Sequence, residues 1–251
     1  MDPHTYTLIR FNPNTILVIN LEIYVGTSGW LYDWNKGHSL DWYVKYSGLN
    51  AVELNSSFYR LPRPSMVNSW VSKASTLRWS IKAYRYISHV AKLSGNAMEW
   101  WRKMIELFRP LDGSIDFYLI QLPPSFKYSN DNLAKLHSFI SEIGGRRIAV
   151  EFRERGWFND TVVNSINELG ATVVSIDSPE IRWIGSSNGV VYLRMHGRSN
   201  WYFHNYSSGE LLEVAKVIES LNPIKVYVFF NNNHWMLENA RTMLNILSGR
   251  Y

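Results

Sequence analysis

At the ends of three short apolar runs of this 251-residue chain a charged side chain is followed, two positions later, by another polar one: Glu53 and Asn55, Glu151 and Arg153, Arg194 and His196. Residues two apart in a β-strand point to the same face, so each pair presents both groups to one side. Each pair closes a short apolar run. Other runs end in the same way, in Thr27 and Ser28, in Lys82, in Gln121, in Asp177, and in Asn231 with Asn232. The chemistry these groups offer is proton transfer and anion binding. Two carboxylates in different surroundings, Glu53 and Glu151, can divide the donation and acceptance of a proton, and Lys82 and His196 complete a candidate catalytic set. Lys82, Arg153 and Arg194 can hold an anionic group or stabilise developing charge. Thr27, Ser28, Asn55, Gln121, Asp177, Asn231 and Asn232 are then expected to bind the polar parts of a substrate. A structural reading competes, with Glu53–Lys82 or Glu151–Arg194 as ion pairs of a protein interior. His89 reads as a loop or capping histidine.

Aromatic residues fall in the same segments. Trp30, Tyr32 and Trp34 follow the first run, Phe58 and Tyr59 the second, Trp157 the fifth, and Trp201 and Tyr202 the seventh. Flat rings beside hydrogen-bonding groups suit sugars, bases and other planar polar ligands. Trp30, Tyr59 and Trp201 are the candidate ligand contacts; the alternative is that these rings pack loops together.

The elements that must position these groups can be read from apolar periodicity. Eight β-rich runs recur, over residues 22–26, 51–54, 78–83, 116–121, 147–152, 172–176, 190–195 and 225–230. Helical spacing or helix-end signals mark 40–47, 64–73, 97–108, 132–143, 160–169, 208–221 and 233–247 between and after them. Residues 179–187, after the sixth run, read as a loop. Alternating strands and helices of this number predict a single (β/α)8 TIM-type barrel, an eight-stranded parallel sheet with outer helices. Its site lies at the C-terminal strand ends. A doubly wound open sheet would want a glycine-rich phosphate loop after the first strand. Gly26-Thr27-Ser28-Gly29 lacks the third glycine and leads into Trp30-Leu31-Tyr32.

Composition narrows the function classes. Apolar residues make up 46 % and charged residues 19 %, as in globular proteins. There is no cysteine, which excludes disulfides, thiolate metal sites and cysteine nucleophiles. No apolar run reaches the length of a membrane span and no signal peptide is recognised, so a cytoplasmic protein without a membrane partner is expected. The formal net charge is +5, which suits anionic partners, but the basic residues are scattered. No cofactor is named by the sequence. A divalent-metal version would draw on Glu53, Glu151, Asp177 and His196; the lack of HxH or HExxH spacing and the basic residues on the same face count against it.

Six segments together resemble one family. They are Tyr24-Val25-Gly26-Thr27-Ser28-Gly29-Trp30, Val52-Glu53-Leu54-Asn55-Ser56-Ser57-Phe58-Tyr59, Gln121-Leu122-Pro123-Pro124-Ser125-Phe126, Glu151-Phe152-Arg153, Leu193-Arg194-Met195-His196-Gly197 and Phe230-Asn231-Asn232-Asn233. In this order they resemble the DUF72 (YecE-like) family, over residues 22–247. The resemblance implies a TIM-type barrel and little about reaction, since the family is one of unknown function. The family's usual motif after the last strand looks like Phe-Asn-Asn-Asp; here Asn233 stands in place of the acid. A metal or proton held by that acid elsewhere would be held less well here. Residues 1–21 fall outside the resemblance and are expected to be an extension to a domain spanning 22–251. The function expected is an enzyme acting on a small polar or anionic, sugar- or phosphate-bearing substrate. The alternatives are a nucleic-acid-binding protein or nuclease, and a non-catalytic ligand-binding barrel.

Overall fold

The structure, a computed structural model, describes residues 4–12 and 15–251, with side chains from Leu21 onward. Strands β1 (His4–Asn12) and β2 (Thr15–Thr27) pair antiparallel. There follow α1 (Leu40–Tyr46), β3 (Ala51–Leu54), α2 (Ser56–Tyr59), α3 (Pro64–Lys73), β4 (Arg78–Lys82), α4 (Ala97–Phe108) and β5 (Ile115–Gln121). The chain continues through α5 (Asn130–Ile143), β6 (Ile148–Glu151), α6 (Asp160–Glu168), β7 (Thr172–Val173), β8 (Ser175–Asp177) and β9 (Arg182–Trp183). It ends with β10 (Val190–Met195), α7 (Ser208–Ser220), β11 (Lys225–Phe230) and α8 (Met236–Leu247). Among the described residues no helix is long and apolar enough to cross a membrane.

The strands form one curled, mostly parallel sheet in the order β7-β6-β5-β4-β3-β2-β11-β10-β8-β9, with β1 on β2. Among the described residues antiparallel pairing joins β1 with β2 and β8 with β9, besides an isolated bridge between Ser187 and Val190. The sixth apolar run is split in two. Its first half pairs with β6 and its second with β10, while the Val174 N–H between them bonds the Val150 carbonyl at 2.9 Å. The segment expected as a loop after it carries β9, which folds back onto β8. The strand expected to begin at Glu22 is the second half of β2, which runs unbroken from the β1 pairing into the β11 pairing.

Helices cover the outer face of the sheet over a continuous apolar layer that includes Ile23, Val25, Val52, Ile81, Ile120 and Val228. A second, smaller cluster gathers Phe117, Leu119, Ala149, Tyr192, Tyr227 and Phe229. The Phe117 ring lies 5.2 Å from Tyr192 and 5.1 Å from Tyr227, edge to face. Since β5 is a neighbour of neither β10 nor β11, these rings meet across the concave side of the curl. Where β2 meets β3 the backbones come so close that a Cβ on Gly26 would stand 2.2 Å from the Ala51 carbonyl oxygen, which only glycine permits.

Candidate active site

Above the ring cluster, the strand ends bring a charged network together. Arg194, from β10, is its centre and is fully buried. Its Nε donates to Glu53 Oε2 at 2.9 Å, its Nη2 to Glu53 Oε1 at 2.6 Å, and its Nη1 to Glu151 Oε2 at 2.5 Å. Ser28 Oγ donates to Glu53 Oε1 and the Tyr192 hydroxyl to Glu53 Oε2, each at 2.8 Å. Arg153 Nε donates to the remaining oxygen, Glu151 Oε1. All four carboxylate oxygens are thereby occupied, by donors from Ser28, Tyr192, Arg194 and Arg153. Burial alone would raise the Glu151 pKa, but the Arg153 and Arg194 guanidinium groups outweigh it and hold the carboxyl well below its ordinary value. The two carboxylates are therefore not placed as a free acid–base pair; they fix two guanidinium groups.

His196 follows β10. Arg153 Nη2 and Arg194 Nη1 lie 3.2 and 3.4 Å from its Nε2. Guanidinium groups only donate, so Nε2 accepts and the proton sits on Nδ1. Nδ1 is 3.3 Å from the Asn231 amide, which presents its oxygen there once the amide is turned to suit. Burial, Arg153 and Arg194 all hold the ring neutral, well below the usual histidine range. His196 thus orients the arginines.

Lys82, at the end of β4, differs from every other charge in the network. It is 8 % exposed, yet among the described residues its ammonium has no hydrogen bond and no ion pair. It lies 4.3 Å from the centroid of the Phe58 ring, over its face. Burial, and next Arg194, push its pKa down to about 7. His89 packs edge-on against the same Phe58 ring at 4.8 Å, and burial and Lys82 push it down to about 4. It lies in a single π-helical turn, Tyr86–Val90, an irregularity that recurs at functional sites.

Two hollows flank the network. One, of about 530 Å³, is lined by Gln121, Pro124, Arg153, Arg155, Glu180 and Trp201, among others. The Arg153 guanidinium lies 4.6 Å from the Trp201 ring centroid, and Trp201 donates to Glu180. The other, of about 240 Å³, is lined by Ser28, Tyr32, Asn55 and Tyr59. Asn55 Oδ1 accepts from Arg194 at 3.5 Å, and Tyr59 stands exposed at the rim.

Four expected contacts are turned elsewhere. Asp177 accepts from Arg198 Nε at 3.0 Å and from the Tyr206 hydroxyl at 2.8 Å, so the metal set that included it is not brought together. Thr27 bonds the Gly29 carbonyl and Tyr43, under α1. Asn232 donates to Asn239 and the His204 carbonyl, each at 2.7 Å. Trp30 is buried edge-on against Trp70 and Trp79 in the outer core, and only touches the smaller hollow. Conversely, Tyr192 donates into the network and Tyr32 lines the smaller hollow, and neither stands among the candidate residues above. Tyr192 stands two residues before Arg194, the same spacing that marked the other pairs.

Comparison with known proteins places this geometry. A family model described as "Protein of unknown function DUF72" matches residues 24–250. The UPF0759 protein YunF of Bacillus subtilis (strain 168) is 24% identical over 273 residues, 91% of this chain and 96% of that protein. The UPF0759 protein YecE of Escherichia coli O157:H7 is 28% identical over 166 residues, 62% of this chain and 59% of that one. A solved DUF72 family protein from Thermotoga maritima MSB8 aligns with a TM-score of 0.74 at 27% identity, over 89% of this chain and 97% of its own. Another from Enterococcus faecalis V583 aligns at 0.77 and 23% identity, over 90% and 97%. The match spans every strand end that carries the charged network, and the chain belongs to the DUF72 family.

Proposed function

We propose that this protein is an enzyme acting on a small anionic, sugar- or phosphate-bearing substrate, bound at the C-terminal strand ends of a (β/α)8 barrel that closes through residues 172–177. The observation that carries this reading is the imbalance of the buried charges. Lys82, Arg153 and Arg194 face two carboxylates, both spent on the arginines. Arg153 Nη1 and Lys82 Nζ have no hydrogen-bond partner among the described residues and are not fully enclosed, so both stand open to an acceptor that a ligand supplies. Arg153 and Gln121 line the larger hollow, where an anionic group would take the free guanidinium edge. The Trp201 ring gives that group's carbon skeleton a flat wall.

In this reading Glu53, Glu151, His196 and Asn231 are positioning residues, and proton transfer falls to Lys82, whose pKa of about 7 suits it to give and take a proton at neutral pH. His89, neutral at that pH, flanks it. The test is a thermal shift of wild type and Arg153→Met with inorganic phosphate, glucose 6-phosphate and a short oligonucleotide. A ligand at a hundred times its dissociation constant stabilises by about 2.7 kcal/mol, or about 5 to 10 °C for a chain of this size. Stabilisation of wild type by the small phosphates, lost in Arg153→Met, is the expected result. Stabilisation by the oligonucleotide alone, unchanged in the variant, overturns it in favour of nucleic acid.

A further inference from the structure

Lys82 poses a question that anion binding alone does not answer. Arginine would serve better for holding a phosphate, since it stays charged and offers a fixed fork of donors. At this position the chain instead carries an amine, 8 % exposed, packed on an aromatic face and within the electrostatic reach of Arg194 and Arg153. The oxygens that could have stabilised an ammonium are all turned to other donors. Glu53 accepts from Ser28, Tyr192 and Arg194, and Glu151 from Arg153 and Arg194. A lysine desolvated next to other cations is the setting in which an amine becomes a nucleophile toward carbonyl carbon.

We infer that Lys82 is a carbonyl-reactive amine that condenses with the aldehyde or ketone group of an anionic substrate whose charged end is held by Arg153. This rests on the anion-binding reading above and names the substrate class for it. The Lys82 nitrogen lone pair adds to the carbonyl carbon as the π pair moves to oxygen, which takes up a proton. The nitrogen releases one proton to leave a carbinolamine. Its hydroxyl takes up a second proton and departs as water while the nitrogen lone pair forms the carbon–nitrogen double bond, and the nitrogen then gives up its second proton. The amine and the carbonyl compound are thus converted to an imine and water, with no oxidant or reductant consumed. Protonation of the imine nitrogen restores the positive charge at Lys82 and makes the bound carbon an acceptor for electrons from a neighbouring bond. The lowered pKa of the free lysine, about 7, agrees with this role, since it brings the free amine into the neutral pH range. An ordinary lysine at pH 7.5 is on the order of 0.1 % free amine.

Purified wild type at pH 7.5 is incubated separately with glyoxylate, glycolaldehyde phosphate and dihydroxyacetone phosphate, then reduced with borohydride. Reduced adducts are mapped by peptide mass spectrometry. With at least one of the three, the adduct is expected on Lys82 on the order of a hundredfold more than on exposed lysines such as Lys73 or Lys103, with inorganic phosphate suppressing it. Because this reads the wild-type protein, it does not depend on a variant that folds. Labelling spread over exposed lysines, with Lys82 no more modified than they are, overturns the inference. The phosphate thermal shift on the same preparation separates the two failures. A shift without a Lys82 adduct leaves the anion site standing and removes the amine chemistry. An adduct at Lys82 that phosphate does not suppress supports the amine and overturns the role of Arg153. Neither shift nor adduct removes both.

Discussion

At the residue scale the network sets its ion pairs beside Lys82, whose ammonium has no hydrogen bond or ion pair among the described residues. Arg194 holds both carboxylates and is fully enclosed, so removing it strands Glu53 and Glu151 with fewer donors in a dry interior. Breaking a buried pair from one side costs about 3–5 kcal/mol. Arg194→Met is expected to lower the urea midpoint accordingly, and a midpoint within error of wild type would show that the network does not hold the concave face. The charged set itself was legible in the sequence because strand spacing puts i and i+2 on one face and the apolar runs stop just before them. What was not legible is how the oxygens are shared. That Glu53 is filled by Ser28, Tyr192 and Arg194 depends on three strands meeting, and Lys82 is left alone only because of that sharing. Asp177, Thr27 and Asn232 looked equivalent to the others, but Arg198, Tyr206, Tyr43 and Asn239 draw them away. Those partners lie in helices and loops whose approach no strand periodicity records.

At the element scale, the strands and most helices follow from apolar period and end signals. The capping box at the start of α7, with Ser207 and Glu210 satisfying each other's backbone N–H, is one such signal. Three features escaped that reading for physical reasons. The break at Val174 is set by which neighbour each half of the run pairs with. The hairpin of β8 and β9 lies in a stretch without periodicity. The π turn at Tyr86–Val90 shifts the local register and brings His89 against Phe58, where an ordinary loop was expected. Two substitutions separate the weight of such local devices. Ser207→Ala removes one cap and should cost about 1 kcal/mol. Gly26→Ala sets a methyl 2.2 Å from a carbonyl in the β2–β3 contact and must part the two backbones. Its melting temperature is therefore expected to fall several times further than that of Ser207→Ala. Equal losses would mean that β2 and β3 yield easily, and that the register carrying Ser28 and Glu53 is not fixed there.

At the scale of the whole molecule the site should leave its mark on stability against pH. Glu151 and His196 both have folded pKa values below their ordinary ones. At low pH the unfolded chain binds protons the native state refuses, so their contribution is complete above about pH 6.5 and is lost as pH falls through the histidine and then the carboxylate range. Lys82 acts in a different window. Its folded pKa of about 7 lies below the ordinary 10.5. Between those values the unfolded chain again holds the extra proton, so native stability rises with pH until Lys82's neutral state carries no penalty. The buried tyrosines 192 and 206, held protonated by burial, reverse the trend only beyond the ordinary tyrosine value of 10.0. The melting temperature of wild type is therefore expected to climb from pH 7 to 9, and Lys82→Met should flatten that climb and melt higher than wild type at pH 7. The acid-side loss, which belongs to Glu151 and His196, should survive in the variant. A wild-type curve already flat between pH 7 and 9 would mean that the ammonium is compensated in the native state. A buried amine that destabilises its own fold near neutral pH, in a network where every other charge is paired, is what a site retained for chemistry looks like.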